Sequence, residues 1–207
     1  MKIDLKAAMC KCSRLKVALV LMALFCLCSC GDIEKAEQLD GTWRTSYENY
    51  DEGLVEKMTE TITYHYDEDS WDDDGTFVIV LSARIDDIYI DEDLTCDCKY
   101  RARITGRWSV DQGDLSHVYD IGTFELKMGR DDVTVHTDTY LSSAERRELQ
   151  EMIADEFQGT IQGELCSQFI DFNNAGLPFR NLKVSGNKMS YETSDHGRIE
   201  FQKVNGN

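Results

Sequence analysis

The chain has 207 residues, of which 42% are hydrophobic and only one is proline, so it is long enough for one domain with a hydrophobic core. Its 22 basic residues are outnumbered by 39 acidic ones, which gives a formal net charge of −17 at pH 7. Such a surface repels phosphate backbones, so the composition argues against a nucleic-acid-binding protein.

The N-terminus has the pattern of an export signal. A basic segment precedes an uninterrupted apolar run over residues 17–27, which is the order of a secretory signal peptide. The run is shorter than the ~20 residues that a membrane-spanning helix needs. The sequence therefore predicts a signal peptide over residues 1–29.

The end of this signal, "LCSC", resembles a bacterial lipobox, with Leu27 and Ser29 placed before Cys30. The resemblance implies cleavage between Ser29 and Cys30, diacylglyceryl attachment to the Cys30 sulfur, and acylation of the new amino group. Several acyl chains hold a protein stably at a membrane. A zinc site is the alternative for these clustered cysteines, but a structural zinc site wants four ligands on a folded scaffold.

The residue after Cys30 bears on the compartment. In some bacteria an aspartate at this position is linked to retention in the inner membrane. This chain has Gly31 instead, which favours the outer membrane and leaves the leaflet open. Residues 30–40 are predicted to form a polar lipidated tether, followed by one domain over residues 41–204.

From Gly41 onward, apolar and polar residues alternate with a period of two, which is typical of half-buried antiparallel strands. The predicted inward faces include Met58, Ile62, Tyr64 and Tyr66; Phe77, Ile79, Leu81 and Ile85; and Tyr100, Ala102, Ile104, Trp108 and Val110. The face opposite the last set carries Lys99, Arg101, Arg103 and Arg107, which we expect to point to solvent. A change of face near Gly122 predicts a bulge.

Turn sequences at 111–114, 129–132, 185–188 and 194–197 separate the strand-like runs. The count is about eight or nine strands. This predicts a mainly β fold, an antiparallel up-and-down β-barrel or, as the alternative, a sandwich.

One helix interrupts the strands at residues 142–157. Ser142 and Glu145 have the spacing of a capping box, and Leu149, Met152, Ile153 and Phe157 form an apolar stripe. We expect this helix to pack on the barrel; the alternative is a lid over a cavity mouth. Residues 158–178 have no clear pattern.

Several short motifs together resemble the lipocalin-like lipoproteins of Bacteroidota. They are "LDGTW" at 39–43, "ITGRWSV" at 104–110, "NLKVSGNKMSYE" at 181–192 and "GRIEFQKV" at 197–204. The resemblance implies an up-and-down barrel with Trp43 packed at its closed end, where Arg198 is a candidate to cover the indole. It also implies that the barrel interior holds a small apolar ligand.

Six residues are therefore candidates for the ligand-lining surface or the core: Trp43, Tyr64, Tyr66, Phe77, Ile79 and Trp108. The rival hypothesis is an interaction module, in which a solid barrel contacts a protein or glycan partner. A cavity of a few hundred Å³ open to solvent would favour ligand binding over the rival.

Three cysteines remain beyond the signal and Cys30. Cys166 could form a disulfide with Cys96 or Cys98, since an exported protein permits one, whereas a bridge between Cys96 and Cys98 would be strained. Three buried or partly paired thiols are the alternative that we favour.

The sequence offers no recognisable catalytic motif. Its histidines, at 65, 117, 136 and 196, belong to no metal-binding or nucleophile pattern. The acidic runs 67–75 and 86–93 lack the spacing of a calcium loop and are interpreted as solvated loops. We therefore expect a non-catalytic protein without a cofactor or metal.

Overall fold

The computed structural model describes residues 32–51, 54–67, 74–194 and 197–204. The predicted signal peptide, Ser29 and the predicted lipidation site Cys30 lie outside these residues, as do His196 and residues 68–73 of the first acidic run. The strands are β1 (Gly41–Asp51), β2 (Leu54–Tyr66), β3 (Asp74–Asp91), β4 (Leu94–Asp111), β5 (Asp114–Lys127), β6 (Val133–Thr137), β7 (Arg180–Ser185), β8 (Lys188–Glu192) and β9 (Arg198–Lys203). The helices are α1 (32–39) and α2 (Ser143–Ala175).

The nine strands form one antiparallel sheet that curls into a half-barrel. Its order is β5-β4-β3-β2-β1-β9-β8-β7, and β6 also pairs with β4. β5 covers β4 from Arg101 to Asp111, and β6 covers it from Leu94 to Cys98, so these two strands share one position in the curled sheet. The prediction of a mainly β, antiparallel barrel-type fold with eight or nine strands is confirmed.

The alternation predicted for β4 is also confirmed. Its apolar set is buried and its four basic residues, Lys99, Arg101, Arg103 and Arg107, are exposed. The predicted bulge lies in β5, where the register with β4 shifts between the pairs Arg103–Glu125 and Thr105–Asp120. Because the bulge reverses the phase of the pleat, both halves of β5 can direct apolar side chains to the core.

The two edges of the sheet meet beside the β4–β5 turn. Leu115 in β5 and Phe179 before β7 exchange two backbone hydrogen bonds of 2.9 and 2.8 Å, and the N–H of Leu182 donates to the carbonyl of Gly113. Beyond the Leu115–Phe179 contact, the outer edge of β5 and β6 faces α2 rather than another strand. An uncovered strand edge leaves backbone donors and acceptors unpaired, so the helix occupies the place where pairing would otherwise be required.

α2 runs antiparallel to this edge, and its polar side chains form hydrogen bonds with the backbone groups of the edge. Arg146 and Gln150 donate to the carbonyls of Val135 and Val133 at 2.8 and 2.6 Å. Further along, the amide of Asn173 accepts from the Tyr119 N–H at 2.9 Å and donates to the Tyr119 carbonyl at 2.8 Å. An amide side chain thus forms the same pair of bonds as a neighbouring strand.

The helix begins where predicted but is longer than predicted. Ser142 is its N-cap and forms the capping box with Glu145, whereas the end at Phe157 was wrong, because the helix continues to Ala175. Buried Ile153, Ile161, Leu165 and Phe169 continue the stripe, while Met152, predicted to belong to it, is 57% exposed. The helix packs on the sheet, as expected.

The predicted polar tether was wrong for residues 32–39, which form α1. Ala36 and Leu39 are fully buried, and Asp32 accepts a hydrogen bond from the Gln112 N–H at 2.8 Å. Asp40 accepts from the Tyr66 N–H at 3.1 Å. Because these contacts tie α1 and the residue after it to the β4–β5 turn and to the end of β2, the helix closes this end of the barrel.

Asn173 offers a direct test of the sealed edge. We expect Asn173→Ala to lower the free energy of unfolding by about 1–3 kcal/mol, because two hydrogen bonds to the Tyr119 backbone are lost. The neighbouring Asn174 is exposed, so Asn174→Ala is the matched control and should change stability little. Urea denaturation measures both, and equal stabilities for the two variants would contradict this role for Asn173.

Candidate ligand-binding cavity

A cavity of about 680 Å³ lies inside the curled sheet, between its inward face and α2. Its apolar wall comes from both sides. The sheet contributes Met58, Ile79, Leu81, Ile85 and Ile199, and α2 contributes Ile161, Leu165, Phe169 and Phe172. The volume falls within the range of small-molecule sites, about 300–1,000 Å³. The barrel is therefore not packed solid with side chains.

The cavity opens along α2. The lining residues most exposed to solvent are Glu164, Gln168 and Phe172, all on this helix. α2 packs along β5 and β6 and makes at most slight contact with β7, β8 and β9. Thr193 and Ile199 line the cavity on that second side, so the mouth lies between the helix and the β8–β9 hairpin.

Of the six predicted lining or core residues, Ile79 alone lines the cavity. Trp43, Tyr64, Phe77 and Trp108 are buried in the core, and Tyr66 is half-buried against the Trp108 ring. The core interpretation therefore holds for these five. They form much of the packed region that supports the cavity rather than its surface.

Trp43 joins α1 to the sheet. Its indole N–H donates to the Leu39 carbonyl at 2.7 Å, and the Lys203 Nζ lies 5.0 Å from its ring centroid. The prediction that Arg198 covers this indole was wrong, because Arg198 is exposed and contacts Ser190 and Glu200. Lys203 takes that place because it lies opposite Trp43 in the β1–β9 register.

Glu60 is the feature of the cavity that the sequence prediction missed. It lies in phase with Met58, Ile62 and Tyr64 on the inward face of β2 and lines the cavity. The side chain is partly buried, and it faces the cavity. Within the described residues no hydrogen bond or ion pair engages its carboxylate. Burial raises the pKa of Glu60 to about 7, because desolvation disfavours the charged form.

His117 was also missed, although it lies in phase with Leu115 and Tyr119 on β5. Its Nε2 lies 3.0 Å from the Tyr64 hydroxyl and its Nδ1 lies 3.5 Å from the Tyr119 hydroxyl. Burial lowers the pKa of His117 to about 3, so the ring is neutral at physiological pH. A neutral imidazole can accept at one nitrogen and donate at the other, which suits its position between two hydroxyl groups.

Tyrosine hydroxyls supply most of the remaining polarity. The cavity is lined by Tyr47, Tyr100, Tyr119 and Tyr191, and burial raises the pKa of each above its usual range. Tyr100 donates to Glu56 at 2.7 Å. The lining is thus apolar and aromatic, with a small number of neutral polar groups and three glutamates, Glu56, Glu60 and Glu164.

Each of the three cysteines in the described residues is a free thiol. Cys96 and Cys98 are buried on the same face of β4, with their sulfurs 3.7 Å apart and not bonded. The predicted alternative of a disulfide from Cys166 is therefore absent from this structure. Hydrogen bonding to Cys96, together with burial, raises the pKa of the Cys98 thiol, which keeps that thiol protonated.

The surface charges in the described part of the chain show no arrangement typical of a metal site. There, no group of three or more His, Cys, Asp or Glu side chains is arranged to hold a metal ion. The basic residues of β4 face solvent, and Arg107 lies 3.5 Å from Asp74 across the strands, an exposed pair of small energetic value.

The sequence matches no protein-family model and no curated protein. Within residues 32–51, 54–67, 74–194 and 197–204, neither helix combines the length and the apolar character that crossing a membrane requires.

The raised pKa of Glu60 predicts a pH-dependent stability difference. Above pH 7 the carboxylate is charged in both states, but it is desolvated in the native state and hydrated in the unfolded chain, so its charge destabilises the fold. Below the ordinary pKa of a glutamate the carboxyl group is neutral in both states, and the effect disappears. We expect Glu60→Gln to raise the free energy of unfolding by roughly 1–3 kcal/mol at pH 8 and by much less at pH 5. Urea denaturation at both pH values measures this. A variant that is no more stable than the wild type at pH 8 would show that the carboxylate is not desolvated.

Proposed function

We propose that this chain is a lipid-anchored protein of the bacterial cell envelope whose barrel binds a small, largely apolar molecule. The observation that carries the proposal is the solvent-connected cavity between the sheet and α2. Preformed, mostly apolar cavities with a small number of polar groups are the usual form of small-molecule sites. The resemblance to lipocalin-like lipoproteins supports the same function.

The rival function, an interaction module with a solid barrel, fits the structure less well. It would need the barrel interior to be filled by side chains, whereas about 680 Å³ lies open beside α2. We also propose that the site is non-catalytic. Its histidine, His117, is held between the hydroxyl groups of Tyr64 and Tyr119. These three neutral groups form an internal hydrogen-bond network.

The proposed localisation of the protein rests on the lipobox. We propose that Cys30 carries the acyl chains and that the outer membrane holds the protein. The described domain begins at Asp32 with α1, so in this proposal the barrel lies close to the bilayer, with its α1 end nearest to it.

Filling the cavity from α2 tests the binding site. Leu165 is buried and lines the cavity, so Leu165→Trp should weaken binding of the apolar fluorophore N-phenyl-1-naphthylamine at least tenfold, because the indole occupies ligand space. Ile170 lies on the same helix, is 44% exposed and does not line the cavity, so Ile170→Trp is the matched control and should bind like the wild type. Fluorescence titration gives the affinities.

A second, more conservative variant keeps the test valid if Leu165→Trp does not fold. Ile161→Phe adds less volume to the same wall and should weaken binding by a smaller factor, with an unchanged thermal unfolding transition. If Leu165→Trp and Ile161→Phe both bind the fluorophore as the wild type does, the cavity is not the binding site.

The anchor is tested separately by metabolic labelling with a radioactive fatty acid. We expect the wild type to incorporate label and Cys30→Ala to incorporate none, because the sulfur that accepts diacylglyceryl is gone. Cys28→Ala is the matched control and should be labelled normally. Labelling that persists in Cys30→Ala would mean that another residue is acylated.

A further inference from the structure

We propose that the ligand carries a positively charged nitrogen, which lies against Glu60 inside the cavity while its apolar body lies against α2. This inference rests on the proposed binding function and adds the chemical class of the ligand. It is argued from the charges that line the cavity, from the state of Glu60, and from the aromatic rings around it.

The first step is the charge of the lining. Among the described residues that line the cavity there are three glutamates, Glu56, Glu60 and Glu164, and neither a lysine nor an arginine. A fatty acid or another anion would place its charge in an enclosed space that contains carboxylates and no compensating cation. Such an arrangement costs free energy in a medium of low dielectric constant. The lining therefore selects against anions.

The second step is the missing partner of Glu60. Glu56 accepts a hydrogen bond from Tyr100, and Glu164 is exposed at the mouth, so each of these carboxylates has protein or water to solvate it. The Glu60 side chain lies deep in the protein and faces the cavity. No hydrogen bond or ion pair from the described residues reaches it. With no partner in the described protein, this carboxylate is solvated only by what the largely apolar cavity holds, which costs free energy. Titratable groups perturbed in this way are concentrated at functional sites.

The third step is the aromatic surroundings. Tyr119 packs on Phe169 with ring centroids 4.8 Å apart, and Tyr191 packs on Phe179 with centroids 4.6 Å apart. All four residues line the cavity. Aromatic faces attract organic cations through their quadrupoles and also bury apolar rings. An amine with an aromatic or aliphatic body therefore matches both the acidic and the apolar parts of the lining.

The geometry also predicts how binding depends on pH. The titratable groups that the Glu60 charge reaches come from four strands: Tyr47 on β1, Tyr64 on β2, Tyr119 on β5 and Tyr191 on β8. The pKa of each of these tyrosines is raised by burial, and that of His117 is lowered by burial to about 3, so all five are neutral between pH 5 and pH 9. Glu56 and Glu164 are the other two carboxylates of the lining, and Glu164 lies at the mouth. Because the pKa of Glu60 is about 7, cation binding should strengthen from pH 6 to pH 8.

Three probes with one ring system test the inference. They are 1-naphthylmethylamine, which is protonated at pH 8, the neutral 1-naphthalenemethanol and the anionic 1-naphthoate. In isothermal titration calorimetry at pH 8 we expect the amine to bind the wild-type protein at least tenfold more tightly than the alcohol, and the acid to bind most weakly. The preference for the amine should be smaller at pH 6.

Glu60→Gln isolates the carboxylate. This variant should bind the amine at least tenfold more weakly than the wild type while keeping its affinity for the alcohol, since the cavity volume is unchanged. Glu125 lies on the exposed face of β5, so Glu125→Gln removes the same charge outside the cavity and should bind all three probes as the wild type does.

The outcomes separate the inference from the function on which it rests. Equal binding of the amine and the alcohol by the wild type, or tighter binding of the acid, would overturn the cationic ligand and leave the binding function standing. An unchanged affinity of Glu60→Gln for the amine would overturn the role of Glu60. Failure of all three probes and of N-phenyl-1-naphthylamine to bind would contradict the proposed function itself.

Discussion

The structure depends on how a curled sheet closes when its two edges are of unequal length. In the described part of the chain the edge backbones join beside the β4–β5 turn, through Leu115 and Phe179 and the adjacent Leu182–Gly113 hydrogen bond. Above that point the edge of β5 and β6 still needs partners for its backbone groups. α2 supplies them through polar side chains along its length, and Asn173 substitutes for a strand residue. The helix is therefore part of the barrel wall.

The cavity follows from this closure. A helix beside a strand edge cannot fill the interior as a neighbouring strand would, so space remains between its apolar stripe and the sheet, and the weakly contacted side toward β8 and β9 becomes the mouth. α1 and Trp43 close the opposite end. Glu60 then lies in an enclosed, largely apolar volume, where its charge opposes folding in the absence of a ligand. A ligand that offered a cation would relieve that cost, so stability and binding are expected to conflict at this residue.

The sequence predicted the strands well because period-two burial is a local signal, and β4 shows it over its whole length. It also predicted the capping box of α2. It missed α1, whose only buried apolar residues are Ala36 and Leu39 and whose sequence is mostly polar, and it missed the second half of α2. There Gly159 and Gly163 lower helix propensity, and buried residues spaced by four wind around the helix instead of forming a straight stripe. Glu60 was missed because the inward face of β2 was assigned from its apolar residues alone, although the position of Glu60 in the alternation places it inside.

A crystal structure of the protein with bound 1-naphthylmethylamine tests the central claim most directly. The account predicts ligand density between the sheet and α2, with the nitrogen within hydrogen-bond distance of a Glu60 carboxylate oxygen and the rings against Leu165 and Phe169. Density confined to the outer surface, or an interior filled by the side chains that here line the cavity, would contradict it.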